Sequence, residues 1–186
     1  ASLDDSLPPV VEVPTAPRPD PVPLVTAALL AKGTALGTLE FSFRREPAAV
    51  YLAEVRDEHE LYNGGAVCHP GFLARQANSV LHLNVELGPW IHAGTRAHHR
   101  GLVRDGDSLA VRGQVAAEYE RKGHRFVDLD VEVTANGVAA LSYRAREGLR
   151  KAWLQAHIND ATASGECQWT ISRIGEHARK GLTTRD

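Results

Sequence analysis

Three features of the sequence predict an α+β domain in which a curled antiparallel sheet wraps one long central helix. After Pro70, apolar residues recur at Leu73, Ala77, Val80, Leu81 and Leu83, the period of a helix with one broad buried face. Downstream, four segments at about 90–103, 107–121, 124–134 and 138–146 read as half-buried strands. Tight-turn pairs, Lys122-Gly123 and Asn136-Gly137, separate the last three, which makes them an antiparallel meander. The 186 residues leave room for one domain with a true core, since a chain of about 150 residues already buries roughly two-thirds of its unfolded surface.

The chain opens with a proline-rich stretch, seven of the ten prolines falling within residues 1–23. Such a segment is extended and is read as a strap or linker. With Leu24 to Ala31, read as a short helix, it forms an N-terminal extension, residues 1–31. From Lys32 to Arg44 the pattern sets Leu36, Thr38, Glu40 and Ser42 against Leu39, Phe41 and Phe43, which suits a strand half in water. Pro47 then opens a helix in PAAVYLAEVRDEHELY, with Val50, Leu52, Ala53 and Leu61 facing inward and Glu54, Arg56 and Glu58 in solvent. Tyr62-Asn63-Gly64-Gly65 breaks it, the central helix follows, and Gly88-Pro89 is expected to end that helix. The clearest strand, 124–134, points Val127, Leu129, Val131 and Val133 one way and Asp128, Asp130 and Glu132 the other. After Arg146, EGLRKAWLQAHIND reads as a short helix and SGECQWTISRI as an isolated strand, so residues 32–146 are taken as the domain and 147–186 as a C-terminal extension.

A formal charge of −2, from 21 basic and 23 acidic residues, gives no field that would gather nucleic acid or an anionic membrane. Two cysteines, Cys68 and Cys167, are read as thiols of a cytoplasmic protein rather than a disulfide framework. No basic-then-apolar leader and no long apolar run is present, so neither a signal peptide nor a membrane span is expected. Methionine is absent even at position 1, which predicts a trimmed or processed chain.

His92, His98 and His99 suggest metal ligands at first sight. On a regular strand, however, His92 and His98 share a face with Arg96 and Arg100, which disfavours a cation, and no metal is expected. A polar dimer-facing or ligand-facing strand is preferred. The basic run Glu120 to Arg125 at a hairpin tip reads as a solvated turn before it reads as a grip on coenzyme A phosphates. Cys68 precedes a helix start but has no identifiable base partner, so it is read as a packed small residue. The phosphate-binding glycine loops, Gly-x-Ser-x-Gly and paired Cys-x-x-Cys are all absent.

The order strand, helix, loop, long helix and four antiparallel strands is that of a hot-dog fold. Residues from about 32 to 146 resemble its MaoC-like branch, whose members include (R)-specific enoyl-thioester hydratases and dehydratases. The segments that carry the resemblance are AEVRDEHELY, CHPGFLARQAN, GPWIH, and Gly106-Asp107 leading into SLAVRGQV.

The resemblance implies an acyl-CoA or acyl-carrier-protein thioester as substrate, no metal or redox cofactor, and a homodimer or paired hot-dog subunit. In competent relatives a pre-helix Gly-Asp-x-Asn-Pro-x-His loop supplies an Asp and a His that act on substrate and water. Here Asp57 keeps the acid, His59 stands at the Asn position and Tyr62 at the His position; with a reference pKa of about 10, tyrosine is a poor base at neutral pH. His69-Pro70-Gly71 matches the family's His-Gly helix start, where backbone N–H groups and the helix dipole polarise a thioester carbonyl. The resemblance therefore assigns catalysis to Asp57, Tyr62 and His69, and substrate binding to His59, Asn63, Gly71, Trp90 and His92. A thioesterase in which Asp57 activates water is the alternative enzyme. The Tyr62 departure also motivates a non-catalytic subunit or acyl-binding module.

Overall fold

The computed structural model describes residues 8–62 and 66–149. Its elements in chain order are β1 (Ala35–Ser42), α1 (Arg45–Val55), α2 (Pro70–His82), β2 (Trp90–His99), β3 (Ser108–Arg121), β4 (His124–Ala135) and β5 (Val138–Leu149). The alternation in β4 buries Val127, Leu129, Val131 and Val133 to 3% exposure or less. Both meander turns have positive φ at their two central residues, 51° and 75° at Lys122-Gly123, 49° and 82° at Asn136-Gly137. That backbone matches the right-handed twist of the strands it joins. The sheet order is β1-β3-β4-β5-β2, antiparallel throughout, with β1 and β2 as its edges.

The inner face of the sheet packs against α2, which contributes Phe72, Leu73, Ala77, Val80 and Leu81 to the core. Helix and sheet approach closely at Gly113 of β3, where a Cβ would stand 2.9 Å from Val80 Cγ1. No side chain fits there.

Several expectations change, each for a local reason. Helix α2 stops at His82, well before Gly88-Pro89, because Asn84 ends it. The Asn84 amide, 3% exposed, donates to Val80 O at 2.8 Å and to Gly37 O at 2.8 Å, and accepts from Gly37 N at 2.8 Å. Strand β1 shifts register between Leu36 and Leu39. Leu36, Gly37, Thr38 and Leu39 are therefore all buried instead of alternating. The residues freed from the β3 ladder find other partners: Gly37 pairs with Asn84, and Thr38 N donates to Ala16 O at 2.8 Å. A Cβ on Gly37 would meet Arg18 Cα and Asn84 Oδ1 at 2.5 Å.

The helix expected at Leu24–Ala31 is instead a series of turns, with Leu24 bridged to Glu86. Helix α1 begins at Arg45, whose backbone N–H donates to Asp105 Oδ1, and Pro47 falls in its first turn, where a missing N–H costs nothing. Its buried residue is Ala48. Val50, about 200° around the helix from Ala48, is 60% exposed, and Leu61 is 48% exposed. Both were expected inside. Strand β5 runs on through Glu147, Gly148 and Leu149, which do not begin a helix. The rest of that expected helix, the strand around Cys167, and Asn63 lie outside the described residues.

Strand β2 shifts register between His92 and Gly94. The extra residue puts His92 on the same face as Thr95, opposite Arg96 and His98, so His92 and His98 do not share a face.

Replacing Asn84 by Ala strands a buried N–H and two buried carbonyls, each costing about 1–3 kcal/mol. Urea unfolding should show Asn84→Ala destabilised by at least about 3 kcal/mol; a loss below about 1 kcal/mol would show that other groups hold Gly37.

Candidate functional site

The site forms where α1 ends and α2 begins. Arg56, at φ 55°, turns the chain out of α1 and leaves Asp57 facing the start of α2. Asp57 Oδ1 accepts the His59 backbone N–H at 2.9 Å, the local turn that aspartate favours. Its other oxygen, Oδ2, lies 3.0 Å from His69 Nε2.

His69 is the N-cap of α2, with extended backbone followed by Pro70 at the first helical position. Its Nδ1 accepts from Gly71 N at 2.9 Å. A nitrogen that accepts carries no proton, so the neutral ring holds its proton on Nε2 and donates it to Asp57. The cap therefore selects the tautomer that binds the carboxylate. Both side chains are partly accessible, 19% for His69 and 28% for Asp57. The His59 N–H first, and the His69 side chain after it, hold the Asp57 carboxyl below its ordinary value of 3.8.

Aromatic rings frame the pair. Tyr62 sits edge-on to His69 with ring centroids 4.7 Å apart, and Tyr51 lies 5.5 Å away on another side. The Tyr51 hydroxyl occupies the space beside Gly71, 2.2 Å from where a Cβ would stand, which explains the glycine. Desolvation pushes the Tyr51 phenol up, so it stays protonated and can donate. Tyr51 was not singled out from the sequence. Its signal was the three-residue step from Ala48 on α1, which places both on one face. Burial pushes the Cys68 thiol up to about 12, so it is no thiolate at neutral pH.

The other expected residues separate. The His59 ring turns into its own loop and accepts from Leu61 N at 3.1 Å. The Gly71 N–H is taken by the His69 ring. Trp90 stacks near His82 at 6.4 Å, and His92 bonds Glu147 and Thr95 on β2 and β5. His99, on the inner face of β2, is pushed below the ordinary imidazole range by desolvation and then by His69. Among the described residues no group of three or more His, Cys, Asp and Glu side chains could hold a metal ion. None of their helices is long and apolar enough to cross a membrane.

No family model and no curated protein matches the chain. Solved structures do. The A. caviae (R)-hydratase involved in PHA biosynthesis is 20% identical, covers 66% of this chain and 99% of its own, and superposes with a TM-score of 0.56. The MaoC-like dehydratase of Rhodospirillum rubrum is 18% identical over 68% of this chain and 97% of its own, with a TM-score of 0.54. The C-terminally truncated HadBC complex, a 3R-hydroxyacyl-ACP dehydratase of Mycobacterium tuberculosis, is 19% identical over 63% and 96%, with a TM-score of 0.54. These likenesses establish the α+β hot-dog fold.

Proposed function

We propose that the chain is an acyl-thioester enzyme of the MaoC-like hydratase or dehydratase type, with Asp57 and His69 as its reactive pair. The observation that carries this reading is the 3.0 Å contact between Asp57 Oδ2 and His69 Nε2 at the start of the buried helix. Where the family's loop has a histidine, this chain has Tyr62. His69 supports the reading by giving the carboxylate an imidazole partner from a different element. The hot-dog fold shared with the hydratases and dehydratases above supports the same substrate class, a coenzyme A or carrier-protein thioester.

In the hydration direction, Asp57 takes a proton from water as the water oxygen bonds to the β-carbon of an enoyl thioester. The electron pair moves to the thioester oxygen, which is stabilised at the positive end of α2 with the Tyr51 hydroxyl as donor. Collapse of the enolate takes the proton from Asp57 to the α-carbon and restores the carboxylate. His69 donates to Asp57 throughout and fixes its orientation, and Tyr62 borders the water. The step consumes one water and needs no redox or metal cofactor. Dehydration is its reverse.

Among the described residues strand β2 pairs only with β5, and its Ile91 is 67% exposed, which supports pairing with a second copy or another hot-dog subunit. Light scattering at micromolar concentration should give a dimer mass; a monomer would refute the pairing.

The activity test incubates the full chain with crotonyl-CoA and follows enoyl absorbance and free thiol together. Loss of the enoyl signal without thiol release is expected, reduced at least about 10²-fold by Asp57→Asn. Because the His59 N–H and the His69 side chain hold the Asp57 carboxyl below its ordinary value, kcat/KM should be lost as pH falls through an acid limb whose midpoint lies below the ordinary aspartate range. Thiol release alone would make the protein a thioesterase. Binding with neither product would make it an acyl-binding subunit.

A further inference from the structure

Away from the Asp57 pair, a second chain of hydrogen bonds runs between β2 and β5. His92 Nδ1 lies 2.8 Å from Glu147 Oε1, and His92 Nε2 lies 2.5 Å from Thr95 Oγ1. The Tyr143 hydroxyl is 3.1 Å from the same Thr95 oxygen. A hydroxyl, an imidazole bridging through both nitrogens, and a buried carboxylate form the nucleophile, base and orienter arrangement of acyl-transfer catalysis.

Residues 92 and 95 would point to opposite faces of a regular strand. The register shift between His92 and Gly94 brings them together, and bulges of this kind often re-aim a side chain at a site. Glu147 is paired with His92 across the strands and its side chain is 1% exposed, while that of His92 is 33% exposed. The second carboxylate oxygen, Oε2, is buried with no hydrogen-bond partner among the described residues. A dry carboxylate fronted by a single imidazole costs stability as a structural pair, but it suits stabilising an imidazolium that forms during a reaction. Thr95 is exposed. The His92 side chain beside it is a third exposed, so solvent reaches the Thr95–His92 pair at the sheet edge.

We propose that Thr95, His92 and Glu147 form a second catalytic site, which transfers the acyl group of an ester or thioester to Thr95 and then to water. Thr95 Oγ attacks the carbonyl carbon as His92 Nε2 takes the hydroxyl proton. The carbon–sulfur or carbon–oxygen bond breaks, and His92 returns that proton to the leaving group. Water then attacks the acyl-threonine ester, its proton passes through His92 to Thr95 Oγ, and the free acid leaves. Glu147 holds the ring and its developing charge, and the Tyr143 hydroxyl is the donor beside the reacting oxygen. Burial pushes the Tyr143 phenol up, which keeps it protonated. This site shares no residue with the Asp57 pair and stands or falls without it.

The test mixes the full chain with p-nitrophenyl acetate, follows release of p-nitrophenolate, and maps the acetyl group by peptide mass spectrometry. A stoichiometric burst with the acetyl group on Thr95 is expected. Thr95→Val should abolish the burst, Thr95→Ser should retain it, and His92→Gln and Tyr143→Phe should each slow it by about 10²-fold or more. The Ser variant separates loss of the nucleophile from loss of the fold. No burst, an acetyl group mapped to any other residue, or a Thr95→Val protein that still acylates at the wild-type rate would overturn the proposal.

Discussion

The imidazole of His69 ties the fold to the site, because each of its nitrogens is committed to a different partner. Nδ1 closes the N-terminus of α2 through Gly71, and Nε2 reaches Asp57. Helix capping and carboxylate binding therefore depend on one tautomer, and neither can change without the other. The surroundings enforce that geometry. Cys68 N donates to Val103 O at 2.8 Å, which anchors the residue before the cap, and the Tyr51 hydroxyl fills the space that a side chain at position 71 would occupy. Asp57 is held in turn by the His59 N–H, so the pair sits between two short local motifs rather than on a free loop.

A second constraint sets where α2 can lie. The helix is fixed at its far end by Asn84, whose amide replaces the strand partner that Gly37 loses at the β1 register shift. In its last turn it also rests on Gly113, where the Val80 and Leu36 side chains leave no space for a Cβ. A helix held at its cap and through its last turn has one position on the sheet, and the Asp57 pair inherits that position. The register shift in β2 has a different consequence. It turns His92 inward to Glu147 and creates a polar network on a strand that otherwise edges the sheet.

Much of this architecture was legible in the sequence. The period of Leu73, Ala77, Val80 and Leu81 marked α2, Asn136-Gly137 marked a hairpin, and the Val–acid alternation marked β4, since each depends on local spacing that burial then rewards. Asp57 and His69 were legible through resemblance, but their direct contact was not, because it joins residues 12 apart across a turn whose shape comes from Arg56 and the His59 N–H. The register shifts in β1 and β2 were hidden. A bulge is decided by which distant groups, such as Asn84 or Ala16, take up the freed backbone, and regular alternation put Leu36 and His92 on the wrong faces. Val50 misled for a related reason: α1 buries only a narrow strip around Ala48, so apolar character alone did not say which side faced in.

The commitment of both His69 nitrogens is tested most directly by nitrogen-15 NMR of that ring in its unprotonated form. The account predicts a proton on Nε2, a bare Nδ1, and an Nε2 proton whose resonance moves when Asp57 is changed to Asn. A ring protonated on Nδ1, or an Nε2 proton indifferent to Asp57, would contradict it.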